Sequence, residues 1–407
     1  MADPLRPVGA QADASERIQV LDILRGFALL GMIVVHFHDR STEPGGIDDV
    51  LRTVIWRLVE SKSHGTFALL FGAGFAIQLR RAEARGVPFA GRYLRRLAVL
   101  AAFGFCAHAF FGFNVLLGYA VWGVPLLLIR NWSTRLLIVT AALSATTDIL
   151  YYMGRFWILS HTIGPEAARA VGQARVEEFR AMWGAVQAAV AQPSYAVLFL
   201  ARLKHMAWFY RQPFFFLPGA TITLFIAGLL LVRHRVFENA RAHRRLLVGL
   251  VVFGVVSWLV DDFLFPNAGY SNTLALLRDQ WLTFAYVSIA LLLIGWKPDL
   301  LARLRLMGNA GRMALTNYLI QIASIDLLFS GYAIGLGKVR PVVAFPMALT
   351  LFCVQVAYST VWLSRFRFGP AEWLWRSLTY GARQPMRRAS VPAGGTGRAV
   401  DSQQLEL

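Results

Sequence analysis

The sequence is poor in charge and nearly devoid of cysteine. Of its 407 residues, 16% are charged, against about 25% in an ordinary soluble domain. That excludes a disordered chain, a collagen-like chain and a plain cytosolic enzyme. The cysteines are Cys106 and Cys353, far apart and each inside an apolar run. Neither a disulfide framework nor a cysteine-based metal site is expected from them. No Gly-rich loop ends in Gly-Lys-Ser/Thr, so a Walker-type nucleotide site is absent. No Gly-x-Ser-x-Gly elbow occurs either. His36-x-His38 has no second ligand pair at recognisable spacing, and no metal is expected. The N-terminal stretch holds Pro4, Pro7, Asp13 and Glu16 without an apolar core, which argues against a cleaved signal peptide.

What the chain does have is apolar surface. It is 57% hydrophobic, with a mean hydropathy of +0.50. Lys and Arg outnumber Asp and Glu by 41 to 23, a net charge of +18. Most of these cations flank apolar runs, which points to membrane topology and anionic headgroups. No basic stretch is interleaved with aromatics, so no nucleic-acid partner is expected.

About ten apolar runs approach the length that crosses roughly 30 Å of hydrocarbon. They fall near Leu21–Phe37, His64–Leu79, Leu94–Phe111, Val115–Ile129, Leu136–Tyr152, Phe214–Val232, Leu246–Phe265, Trp281–Trp296, Arg312–Phe329 and Val342–Leu363. Run length and the lack of dyad alternation favour helices over a barrel. Arginine-rich loops follow the second, sixth, eighth and last runs. They fall on one side, the expected cytoplasm. The expected fold is an all-α polytopic membrane protein of about ten transmembrane helices with both termini cytoplasmic. The lipid bilayer is its first partner, and its oligomeric state is left open. Residues 1–17 read as a flexible N-terminus and 18–383 as one helical domain. Residues 384–407, rich in Arg, Gly and Ser, read as a disordered cytoplasmic tail. An outer-side loop over about 153–212 is amphipathic, as helices lying on the surface would be.

Charged and polar groups inside a span are costly and mark function by default. Asp22 and Arg25 are three apart and can pair along one face, as a structural ion pair also would. Arg25 and His36 are eleven apart, which is three turns plus about 20° and about 16 Å along a helix. They share a stripe, Arg25 toward the cytoplasm and His36 toward the outside. His38, His64, His108 and Asp261 fall on the outer level, Arg312 on the inner. Asn317 and Gln321 share a face, for substrate or for interhelical hydrogen bonds. An imidazole can take a proton from a hydroxyl or amine. An inner arginine suits phosphate or carboxylate. Such a path fits transfer of a group across the membrane, and equally a transporter or flippase for a small anion or lipid-linked precursor.

Four stretches resemble a known family. They are Arg17–Gly31 (RIQVLDILRGFALLG), Thr66–Phe75 (TFALLFGAGF), Gly311–Gln321 (GRMALTNYLIQ) and Phe368–Gly381 (FGPAEWLWRSLTYG). They are similar to the YeiB-like bacterial membrane proteins, domain of unknown function 418, a branch of a transmembrane acyltransferase superfamily. The resemblance implies a multi-pass protein of the bacterial inner (plasma) membrane. It also implies transfer of an acyl group from a cytoplasmic acyl-CoA or acetyl-CoA to a small-molecule or glycan acceptor outside. In polysaccharide O-acyltransferases of that superfamily an Arg precedes an essential His by eleven residues, as Arg25 precedes His36. Many YeiB-like proteins carry Asn where this chain has His36, a departure that favours catalysis here. The resulting expectation is His36 as general base, with Asp22, Arg25 and Arg312 at the donor end. Asn317, Gln321, His64 and Asp261 are expected to line the substrate path.

Overall fold

A computed structural model describes the backbone of residues 8–41, 45–216, 219–264 and 273–388. Among the described residues the chain is helical, with isolated bridges at Ser41–Val339 and Phe366–Arg387 in place of strands. The N-terminal part comprises α1 (Val8–His38), α2 (Ile47–Leu58), α3 (Lys62–Ala84), α4 (Ala90–Phe111), α5 (Leu116–Trp122), α6 (Val124–Ile129) and α7 (Thr134–Ile163). Two amphipathic helices follow, α8 (Pro165–Val190) and α9 (Tyr195–Phe209), then α10 (Pro213–Phe216). The rest is α11 (Gly219–Arg233), α12 (Arg244–Leu264), α13 (Thr273–Trp296), α14 (Asp299–Arg303), α15 (Arg305–Arg312), α16 (Ala314–Phe329), α17 (Pro341–Arg365) and α18 (Pro370–Tyr380).

Among the described residues, Gln19–His38, Ala90–Phe111 and Pro341–Arg365 are long and apolar enough to span a bilayer singly. Thr134–Thr147 and Leu150–Ile163 qualify together across a 49° bend. Shorter apolar helices cover Leu116–Ile129, Gly219–Arg233, Trp281–Trp296 and Ala314–Phe329. Leu143, Leu150, Val252 and Leu259 are all exposed. A large outward apolar face of this kind fits lipid rather than water. The molecule is thus a helical membrane protein with several apolar helices.

Glycine sets the closest helix contacts, because a side chain would hold the backbones apart. A Cβ on Gly72 of α3 would strike the Phe225 carbonyl, and one on Gly228 of α11 the Leu69 carbonyl. A Cβ on Gly311 of α15 would strike the Asp22 carbonyl, and one on Gly26 of α1 the Met307 carbonyl. Around these contacts Leu21, Leu69, Phe225 and Leu229 form one core, and Leu29, Ile33, Phe37 and Phe329 a second.

Several segments differ from expectation. Helix α1 begins at Val8, inside the stretch 1–17 expected to be flexible; residues 1–7 lie outside the described residues. Helix α7 continues to Ile163, past the expected loop start at Met153, because its apolar residues extend that far. Residues 384–388, expected as the start of a disordered tail, fold back instead. Arg367 donates its N–H to Met386, Arg388 to Arg365, and the Trp373 indole donates to the Gln384 carbonyl. Residues 389–407 lie outside the described residues.

Candidate active site

A cavity of about 460 Å³ opens at the His36 end of α1. That volume lies within the roughly 300–1,000 Å³ of small-molecule sites. His36, His64, His108 and His205 all line it, from α1, α3, α4 and α9. The His36 and His64 rings meet edge to face, 6.1 Å between centroids. Tyr318 stands 6.2 Å from His36 on another side. The Nε2 atom of His36 is buried and has no hydrogen-bond partner among the described residues. Tyr119 donates its hydroxyl to the His64 carbonyl at 2.9 Å and so ties α5 to this wall. Ser61, also on the wall, has φ of 61°. A non-glycine residue there is strained, and such strain gathers at functional sites.

The cavity lining also carries a second histidine pair. His108 Nδ1 lies 2.9 Å from the Tyr210 hydroxyl, and its Nε2 lies 3.5 Å from His205 Nδ1. Burial pushes the His205 imidazole below its ordinary pKa, so that ring is neutral at pH 7. Beside it, Arg202 and Asp326 form a buried ion pair. Asp326 also accepts from Ser330 and Tyr332, both at 2.8 Å. Arg40, Asp39 and Glu60 complete the charged lining. Despite four histidines, among the described residues no group of three His, Cys, Asp or Glu is arranged to hold a metal ion.

The residues singled out in the sequence divide into groups. His36 and His64 share the cavity. Asp22 and Arg25 form a 2.7 Å ion pair one helix length away, and the charge of Arg312 also acts on Asp22. None of these three is among the residues lining the cavity. Asn317 Nδ2 donates to the Ala310 carbonyl at 3.0 Å and to Ser359 at 2.9 Å. Gln321 Nε2 donates to the Leu29 carbonyl at 3.2 Å and to Gln355 at 2.9 Å. Both amides therefore stitch α16 to α1, α15 and α17, and neither lines the cavity. Asp261 falls in α12, but its side chain lies outside the described residues.

Arg202 and His205 are cavity residues that the sequence reading placed on a surface helix. The structure buries both, at 2% and 3% exposure. Helix α9 turns Leu198, Arg202 and His205 inward, spaced four and three apart on one face. A basic residue and a histidine within that inward stripe were the available signal.

Residues 17–163 match the catalytic model of heparan-alpha-glucosaminide N-acetyltransferase, and residues 231–382 match the family of proteins of unknown function DUF418. Relatives match over nearly the whole length of both chains. The chain is 29% identical to the uncharacterized protein YxaH of Bacillus subtilis, over 92% of this chain and 97% of that one. It is 26% identical to an uncharacterized 39.9 kDa protein in the amylase 3′ region of Bacillus acidopullulyticus, over 91% and 96%. It is 25% identical to the uncharacterized protein YeiB of Escherichia coli, over 91% and 98%. No solved structure matches significantly.

Proposed function

The chain is a YeiB-like member of the DUF418 family with an acyltransferase-like N-terminal region, and from that premise we propose that it transfers acyl groups across the bacterial inner membrane. The donor is a cytoplasmic acyl-CoA or acetyl-CoA, and the acceptor is a hydroxyl or amine on the outer side. The observation that carries this reading is His36. It lies on a cavity wall, its Nε2 is buried, and that atom has no partner among the described residues. Leaving a buried polar atom unsatisfied costs about 1–3 kcal/mol, and a substrate O–H or N–H would remove that cost.

In the proposed step His36 Nε2 takes the proton of the acceptor as its oxygen or nitrogen attacks the thioester carbonyl. The new C–O or C–N bond forms, the C–S bond breaks, and the thiolate leaves with the proton returned as thiol. His64 and Tyr318, against the imidazole ring, hold its orientation. Asp22, Arg25 and Arg312 serve the donor end on the cytoplasmic side. Arg25 and His36 stand about 16 Å apart along α1, so the thioester arm covers that length.

The test is release of CoA thiol from acetyl-CoA by purified full-length protein in nanodiscs. His36→Ala should lower turnover by about 10²–10⁴-fold, the usual worth of a general base, with an unchanged melting profile. Turnover equal to wild type in folded His36→Ala protein would overturn the assignment. Flux of a labelled anion without thioester loss would replace transfer by transport.

A further inference from the structure

His108 of α4 and His205 of α9 line the same cavity as His36 but take no part in the step assigned to it. With Tyr210 they form a line of three groups. The Tyr210 hydroxyl lies 2.9 Å from His108 Nδ1, and His108 Nε2 lies 3.5 Å from His205 Nδ1. The second distance is at the outer limit of a hydrogen bond. Contacts of this kind at reacting sites are often long before substrate binds and tighten with it.

The line has a direction. Burial pushes the Tyr210 hydroxyl above its ordinary pKa, so it keeps its proton. Among the described residues, His108 Nδ1 is the only hydrogen-bond partner of that hydroxyl. If His108 carried its proton on Nδ1, the phenol O–H would be left without an acceptor. Tyr210 therefore donates, and His108 carries its proton on Nε2. A neutral imidazole has one donor and one acceptor nitrogen. His108 Nε2–H thus donates to His205 Nδ1, and His205 carries its own proton on Nε2. That last N–H has no hydrogen-bond partner among the described residues.

The His205 ring is also clamped. Phe209 stacks on it at 5.8 Å between centroids, and Trp183 meets it edge to face at 5.5 Å. A ring held this way offers a hydrogen bond, not a lone pair, to the occupant of the cavity. His36 supplies the base, and a carbonyl under attack needs a donor for the charge that grows on its oxygen. The neighbouring Arg202 is engaged by Asp326 and by the Phe110 carbonyl. On the premise that acyl transfer occurs at the His36 cavity, we propose that His205 Nε2–H binds the carbonyl oxygen of the thioester, with His108 and Tyr210 as positioning residues. As the acceptor attacks, the carbonyl electron pair moves onto that oxygen, and His205 holds it without giving up its proton. When the C=O bond re-forms the C–S bond breaks, and the proton taken by His36 goes to the thiolate.

The probe is the ketone analogue of acetyl-CoA, with CH2 in place of the thioester sulfur and 13C at the carbonyl, which cannot transfer its acyl group. Its carbonyl stretch is measured by infrared difference spectroscopy on full-length protein in nanodiscs. The stretch should be lower in wild type and in His36→Ala than in His205→Ala. His205→Gln, whose amide N–H reaches the same position, should bring it down again. In thiol release from acetyl-CoA, His205→Ala should lower kcat about 10²–10³-fold, with KM and melting unchanged. Tyr210→Phe should lower it about 2–10-fold, the worth of one neutral hydrogen bond. With the analogue bound, a stretch unchanged in His205→Ala overturns the proposal and leaves acyl transfer standing, and so does a stretch that rises only in Arg40→Gln. Folded wild type that neither binds the analogue nor releases thiol overturns acyl transfer itself, and the role of His205 with it.

Discussion

At the residue scale the chemistry rests on how a few buried polar groups are partnered. Asp48 of α2 shows the electrostatic logic outside the spans. Burial pushes its carboxyl up, but the Arg340 side chain and the Val342 N–H, at 2.8 and 2.9 Å, outweigh that and hold it below the usual carboxylate range. A carboxyl with a depressed pKa contributes stability that is full above its unfolded value of about 3.9 and is lost as pH falls through the folded one. Melting of wild type should therefore fall on acidification below about pH 4, and Asp48→Asn should flatten that limb. A limb unchanged in Asp48→Asn would refute the assignment. His36 and His64 were legible from the sequence as polar groups at the end of apolar runs. The pairing of His108 with His205 was not, because it joins α4 to α9 through tertiary contact alone. Asn317 and Gln321 looked like ligands for the same reason that they serve as interhelical bonds, since a polar face inside a span reads alike for both uses.

At the element scale, hydropathy located most of the apolar helices, because run length alone reports them. It could not show the break at Gly123, where α5 ends and α6 starts with Pro125 in its first turn. Nor could it show what Phe368–Gly381 does in the fold. There Glu372 caps the N-terminus of α16 through the Leu315 and Thr316 N–H groups and the Thr316 hydroxyl. Gly369 leaves room for this cap, since a Cβ there would crowd the Glu372 carboxylate and the Thr316 hydroxyl. Glu372→Ala should destabilise the protein by about 1–2 kcal/mol, the worth of a helix cap, read as a lower melting temperature in detergent. Gly369→Ala should lower it too, although it removes no hydrogen bond of its own. Gly228→Val should do the same by parting α11 from α3, whereas Gly154→Ala, where a Cβ meets nothing within 4 Å, should be neutral.

At the scale of the whole molecule, α8 and α9 lie between the two matched regions and are covered by neither. They are nevertheless built into the fold. Arg202 pairs with Asp326 of α16, and Gly331 donates its N–H to Val190 at 2.8 Å. Asp326→Asn would strand a buried guanidinium and should cost about 3–5 kcal/mol. The double variant Arg202→Met with Asp326→Leu should recover much of that loss, which a melting comparison of the three proteins would reveal. The stitching of distant segments also imposes a timetable on synthesis. The Leu29 carbonyl of α1 is bonded by Gln321, which lies 292 residues further along the chain. At about 5–20 residues per second, that partner is made roughly 15–60 s after Leu29 itself. Through that interval α1 sits in the bilayer without its final neighbours, and the Asp22–Arg25 pair, contained within α1, lets it enter the lipid already neutralised.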